Sequence, residues 1–249
     1  MNQSFLNTMV LLLMVSGGLK LESLFGNDAL PAEGNSLEAS AYAKEVEKIA
    51  EDHKTSRQAA ASKLNNQFDA ALKRVPKAKM SAEQKLRAQE VLRAEQKRFQ
   101  EHGVIPFSQA LCSSSVKYLQ EFNKCDLLAQ NKFAELILKL DDRLTEAELT
   151  KLKQLGDGLL KPVVVARWSH QTGANPRGTV TLLSNGRIGA ADSPNHWILL
   201  TTGRIQFRWP NAAAPGGVWI DDSVLSPDGL EFKGKNQHNS AALGTLILP

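Results

Sequence analysis

The chain has 249 residues, 42% of them hydrophobic and 22% charged, with a formal net charge of +4. That length fits one large domain or two modest ones, and the composition excludes a wholly disordered chain, a collagen and a polytopic membrane protein. The basic residues are interleaved with acids, which describes a solvated surface and not the basic stripe of a nucleic-acid binder.

The first element is a short apolar run, Met9 to Val15, followed by the small residues Ser16, Gly17 and Gly18. Such a run is far below the ~20 residues that cross a bilayer as a helix, but an apolar stretch of ~7–15 residues before small residues is the export pattern. Residues 1–18 are therefore expected to be a signal peptide and 19–35 a flexible segment, although Met1 to Thr8 holds no Lys or Arg. The protein is expected to be secreted or to reside in the periplasm or cell envelope, without a stable membrane span.

Residues 36–160 read as helical. Asn35 or Ser36 with Glu38 predicts an N-cap, and apolar residues then step by three and four through Tyr42, Val46, Ile49, Ala60, Leu64, Phe68, Leu72 and Val75. A polar gap around His53 and Arg57 interrupts this stripe, and Pro76 ends the helix. Ser81 with Gln84 forms a second capping signature, and Gly103 and Pro106 stop the helix that follows. The strongest periodic signal runs from Leu111 through Tyr118, Phe122, Cys125, Ala129, Phe133, Leu136 and Leu140 to Leu144. Its near-heptad spacing asks for a partner helix, most simply the first helix folded back antiparallel, as an elongated coiled coil or helical bundle. A last short helix starts at Thr145 with Glu148 and is expected to close at Gly156 or Gly158. The two cysteines, Cys112 and Cys125, lie in one predicted helix whose thirteen-residue step rises ~20 Å, far beyond the ~7 Å that a disulfide bridges. They are expected not to pair within a chain.

From Pro162 the period changes from 3.6 to 2. Short β-branched and aromatic runs alternate with turn signals such as Ser184-Asn185-Gly186 and Pro227-Asp228-Gly229, which predicts an antiparallel meander over 162–249 that rolls or closes into a small barrel. The fold class is thus α+β. Because the period changes where helix-ending residues cluster (Gly156, Gly158 and Pro162), few core contacts should cross that junction, and 162–249 should fold alone.

All four tryptophans, Trp168, Trp197, Trp209 and Trp219, fall in this module. Together with Ala166-Arg167-Trp168, Asn195-His196-Trp197, Gly217-Val218-Trp219-Ile220-Asp221 and Phe232-Lys233-Gly234-Lys235-Asn236, they give a sequence that resembles the tryptophan-rich β modules of uncharacterised secreted proteins of planctomycete-type bacteria. In those proteins the module follows a coiled coil, which Glu95 to Phe99 and Tyr118 to Leu144 resemble here. The resemblance implies architecture and export, and no activity.

The tryptophans fit either a core or a glycan platform, and an exposed coplanar aromatic pair beside Asp or Asn would favour the platform. Trp219, which follows the turn at Gly216-Gly217, is the first candidate for ligand contact, with Asp221 and Asp222 beside it. Asp221, Asp222 and Asp228 lack the alternating ligand spacing of a calcium loop, and His170, His196 and His238 lack that of a zinc site. No metal, cofactor or catalytic residue is assigned, since nucleophile elbows, phosphate loops and zinc-protease motifs are missing from the sequence. Lys73, Arg74, Lys77 and Lys79 at the first helix turn read as a solvated loop, with contact to an anionic wall polymer or lipid headgroup as the alternative. These readings lead to an exported, non-enzymatic envelope scaffold that presents a β module on a helical stalk and contacts a protein partner or itself through the helices. A carbohydrate-binding module on a spacer is the alternative, and a hydrolase of unrecognised type the third reading.

Overall fold

A computed structural model describes residues 36–140 and 142–249. The expected leader, the segment 19–35 and the cap at Asn35 lie outside these residues. Four helices come first: α1 (Ser36–Arg74), α2 (Ala82–His102), α3 (Cys112–Leu140) and α4 (Glu146–Leu159). Seven strands follow: β1 (Val164–Thr172), β2 (Gly178–Leu183), β3 (His196–Leu200), β4 (Arg204–Pro210), β5 (Val218–Leu225), β6 (Glu231–Lys235) and β7 (Ala241–Leu246). None of the described helices is long and apolar enough to cross a membrane.

The helix ends follow from their local chemistry. Ser81 and Gln84 form a reciprocal capping box on α2, and Thr145 and Glu148 form one on α4, satisfying backbone groups that the first turn leaves without partners. Gly103 closes α2 with φ of 69°, a left-handed conformation in which a Cβ would be strained. Gly156 and Gly158, expected to stop α4, instead lie inside it. A Cβ on Gly156 would come within 3.2 Å of the Phe133 ring, so the glycine serves the close approach of α4 to α3.

α1 and α3 pair antiparallel, as their stripes predict, with exposed ion pairs Lys63–Glu121, Asp52–Lys132 and Glu45–Lys139 along the seam. The polar gap in α1 has a counterpart on α3. Asp126 Oδ1 lies 2.8 Å from His53 Nε2 and accepts a bond of 2.8 Å from Arg57 Nε, while the Arg57 guanidinium sits 4.2 Å over the Phe122 ring. This polar layer divides the helical core. On one side, Val46, Ile49, Ala129, Phe133, Leu136 and Leu152 form a cluster of their own. On the other, Leu64, Phe68, Leu92 and Phe99 belong to a larger cluster that also contains most of the buried sheet residues. Both cysteines are free and lie in the continuous helix α3, where Cys112 is buried and its Sγ donates to the Leu200 carbonyl at 3.1 Å.

The sheet has strand order β2-β1-β7-β6-β5-β4-β3, antiparallel throughout. Its two edges are brought together by the β2–β3 connection: the Leu183 amide donates to the Arg187 carbonyl, and the Trp197 amide to the Gly186 carbonyl. The result is a nearly closed barrel-like sheet. Inside, Phe232 lies opposite Gly244, and a Cβ at Gly244 would come within 2.2 Å of its ring. The glycine leaves the space that the aromatic ring fills.

One end of the barrel is stoppered by the connection between α2 and α3. Ile105, Phe107 and Leu111 are almost wholly buried, and Phe107 meets Trp168 edge-to-face with centroids 5.2 Å apart. The Ile105 amide donates to the Val165 carbonyl and the Gln109 amide to the Pro227 carbonyl. The expectation that few core contacts cross between helices and sheet therefore does not hold. Gly103 and Pro106 do end the helix, but the aperiodic segment they bound is a piece of the barrel core.

That connection is held in shape by Glu95. Its Oε1 accepts from the Phe107 and Ser108 amides, both at 2.8 Å, while its Oε2 is buried without a partner. Burial pushes this carboxyl above its usual range, and the bonds from Ser108 and Phe107 only partly oppose it. A carboxyl raised in the folded state favours folding at pH below its unfolded value and loses that contribution as pH rises through the folded one. Glu95→Gln keeps the acceptor and removes the titration. Thermal melts should show it matching the wild type at about pH 4 and overtaking it by pH 8. Equal pH dependence of the two proteins would refute the buried-charge account.

Candidate functional site at the barrel mouth

The end of the barrel opposite the Phe107 stopper is open. β1 brings inward-facing residues there in steps of two: Trp168, His170 and Thr172 share one face. Trp168 is fully buried in the core, whereas His170 and Thr172 reach the rim. β4 and β5 supply Trp209, Trp219 and Asp221, with Trp209 and Trp219 directly paired across the ladder. These residues line an open depression of about 540 Å³, together with Asn175, Asn236 and His238.

Asp221 is the polar centre. Its side chain is only 2% exposed, yet Oδ2 accepts three bonds: Trp209 Nε1 at 2.9 Å, Thr172 Oγ1 at 2.9 Å and His170 Nε2 at 3.1 Å. Burial pushes this carboxyl up, but the bonds from His170, Trp209 and Thr172 outweigh that effect and hold it below the usual range, so it stays ionised. Oδ1 takes no hydrogen bond from the described residues. The His170 ring is wedged among Phe207, Trp209 and Phe232, with centroids 4.9, 5.5 and 5.8 Å away. Its donor position is thereby set by packing as well as by the carboxylate.

The two rim tryptophans have different neighbours. Trp209 runs parallel to Phe207 and leans on His170, whereas Trp219 packs on His238 in the β6–β7 turn, with centroids 4.5 Å apart. Both are half-buried, so they form walls and not a flat exposed platform. Trp168 and Trp197 are core residues, the latter donating to the Leu183 carbonyl at 2.9 Å.

Of the residues singled out from sequence, Trp219 and Asp221 come together at the mouth and Asp222 does not. Adjacent strand residues face opposite ways, and Asp222 points outward, where Arg204 Nη2 donates to it at 2.6 Å. Asp228 shapes a turn, accepting from Ser226 Oγ and the Leu230 amide. His196 bonds to Arg187, and His102 is exposed at the end of α2. In the sequence Trp209 figures only among the four tryptophans that fit core or platform, His170 only as lacking zinc-site spacing, and Thr172 not at all, although alternation beyond Trp168 places His170 and Thr172 on its face.

His170 and Asp221 make an acid–base pair, but Thr172 Oγ1, 3.5 Å from His170 Nε2, bonds to Asp221 at 2.9 Å, so the three do not follow the nucleophile–base–acid order of acyl transfer. Among the described residues no group of three or more His, Cys, Asp or Glu could hold a metal ion. What the arrangement offers is a recess with aromatic walls, amide groups and one anchored carboxylate. No family model, curated protein or solved structure matches the chain.

Proposed function

We propose that this is an exported, non-enzymatic protein of the cell envelope in which a helical stalk, paired as a coiled coil, presents a small β barrel whose mouth binds carbohydrate. Export rests on the leader pattern and on the resemblance to secreted planctomycete-type proteins. The single observation that carries the binding reading is the convergence of Trp209, Trp219 and Asp221 on one recess. Indole faces cover the apolar faces of a sugar ring, and the amides of Asn175 and Asn236 suit its hydroxyls. Two neighbouring half-buried indoles within a recess suit one or two sugar rings better than a long chain laid on a plane.

Contact with a protein partner, or with a second copy, is the second reading, and one observation favours it. α3 exposes Leu127, Leu128 and Leu138 on the side away from Ala129, Phe133 and Leu136. The two readings assign different parts of the molecule and are compatible.

Tryptophan fluorescence during titration with β-linked glucose and glucosamine tetramers tests the carbohydrate reading. Saturable quenching is expected, and Trp219→Ala should weaken it about tenfold, the loss of one aromatic contact of about 1.4 kcal/mol. Because Trp219 is half-exposed, the variant should melt within a few degrees of the wild type. A spectrum unchanged by every sugar would end this reading.

A further inference from the structure

The mouth has a charge character that a generic sugar site does not need. Its lining contains no Lys or Arg, and the Asp221 carboxylate there is almost wholly enclosed. Trp209 Nε1, Thr172 Oγ1 and His170 Nε2 all converge on Oδ2 and fix the carboxylate, and Oδ1 is left without a donor from the described residues. A buried charge is costly to keep unless something opposite completes it. His170, which bonds to Oδ2, already has its place in the network, and His238 packs on Trp219. Two indoles, Trp209 and Trp219, stand among otherwise uncharged lining residues, and indole faces carry negative charge density that attracts cations. An unpartnered carboxylate oxygen beside indole faces favours a compact cation that can also donate hydrogen bonds over an anion such as a uronic acid.

We propose that the recognised ligand carries a protonated amine, as an amino sugar does, and that Asp221 Oδ1 is its counter-ion beside Trp209 and Trp219. This rests on the carbohydrate reading and narrows it. An ammonium group would donate one hydrogen bond to Oδ1 and turn its remaining positive surface to the indoles, while the sugar ring fills the recess beside Asn175 and Asn236.

The test compares three tetramers of one β-linked backbone that differ only at C2, bearing a free amine, an acetamide or a hydroxyl, by calorimetry at pH 7 with the full chain. The free amine is expected to bind at least about tenfold more tightly than either of the others. Asp221→Asn, checked for folding by its melt, should bring the three to similar affinity. If that variant does not fold, the ligand comparison alone decides, because it needs only the wild-type protein. Equal binding of all three, or a preference for the acetamide, would overturn the amine proposal and leave carbohydrate binding standing. Binding of none would overturn both. A preference for amine that survives in folded Asp221→Asn would show that Asp221 is not the counter-ion.

Discussion

Phe107→Ala should unfold helices and barrel together, at a cost of about 3–5 kcal/mol, the range for removing a buried aromatic side chain. Phe107 is 1% exposed and sits edge-to-face on Trp168 in the cluster that joins Leu64, Phe68 and Phe99 of the helices to the sheet interior. The cavity cannot close easily, because its floor is the rigid barrel and its backbone is pinned by Glu95. For a chain of this size the melt should fall by about 10 °C. Far-ultraviolet circular dichroism follows the helices and near-ultraviolet the tryptophans. The two curves should move together. A helical transition that shifts while the tryptophan signal stays in place would show that the barrel stands without its stopper.

Asp126→Ala should cost about 3 kcal/mol, as is usual when one partner of a buried ionic cluster is removed. The carboxylate gathers His53 and Arg57 at one point of the α1–α3 seam, and its loss leaves a guanidinium held over Phe122 with no counter-charge. Lys132→Ala is the control, since its pair with Asp52 is exposed and such pairs contribute under about 1 kcal/mol. Urea unfolding followed by helical signal should separate the two variants clearly. Similar small losses from both would mean that the polar layer does not hold the seam.

The legibility of this molecule differs from segment to segment for physical reasons. Helices with capping boxes and apolar stripes could be read directly, because caps and periodicity are local. The polar gap at His53 and Arg57 was visible as an interruption, but its partner Asp126 lies 73 residues away, and nothing local links them. On β5, alternation says that one of Asp221 and Asp222 faces inward; only the register against β4, Trp209 opposite Trp219, decides which. His170 escaped because the β-rich run ends in sequence at Trp168, while the strand continues to Thr172 through its pairing with β7. The stopper segment escaped for the opposite reason. Between Gly103 and Leu111 no period exists to be read, so residues that complete the barrel look like a linker.

The position of β7 also governs the order in which the molecule can assemble. β7 lies between β6, its near neighbour in sequence, and β1, where Trp168 pairs with Leu246 across most of the module. Strands β3 to β6 can zip as successive hairpins, but the barrel cannot close until β7 reaches back, and closing so long a loop slows folding. During that interval the face of β1 that carries Trp168, and the stopper residues Ile105 and Phe107 emerging ahead of it, are exposed to water and to other nascent chains. Docking of β7 onto β1 is therefore the step expected to limit folding and to leave these surfaces open longest.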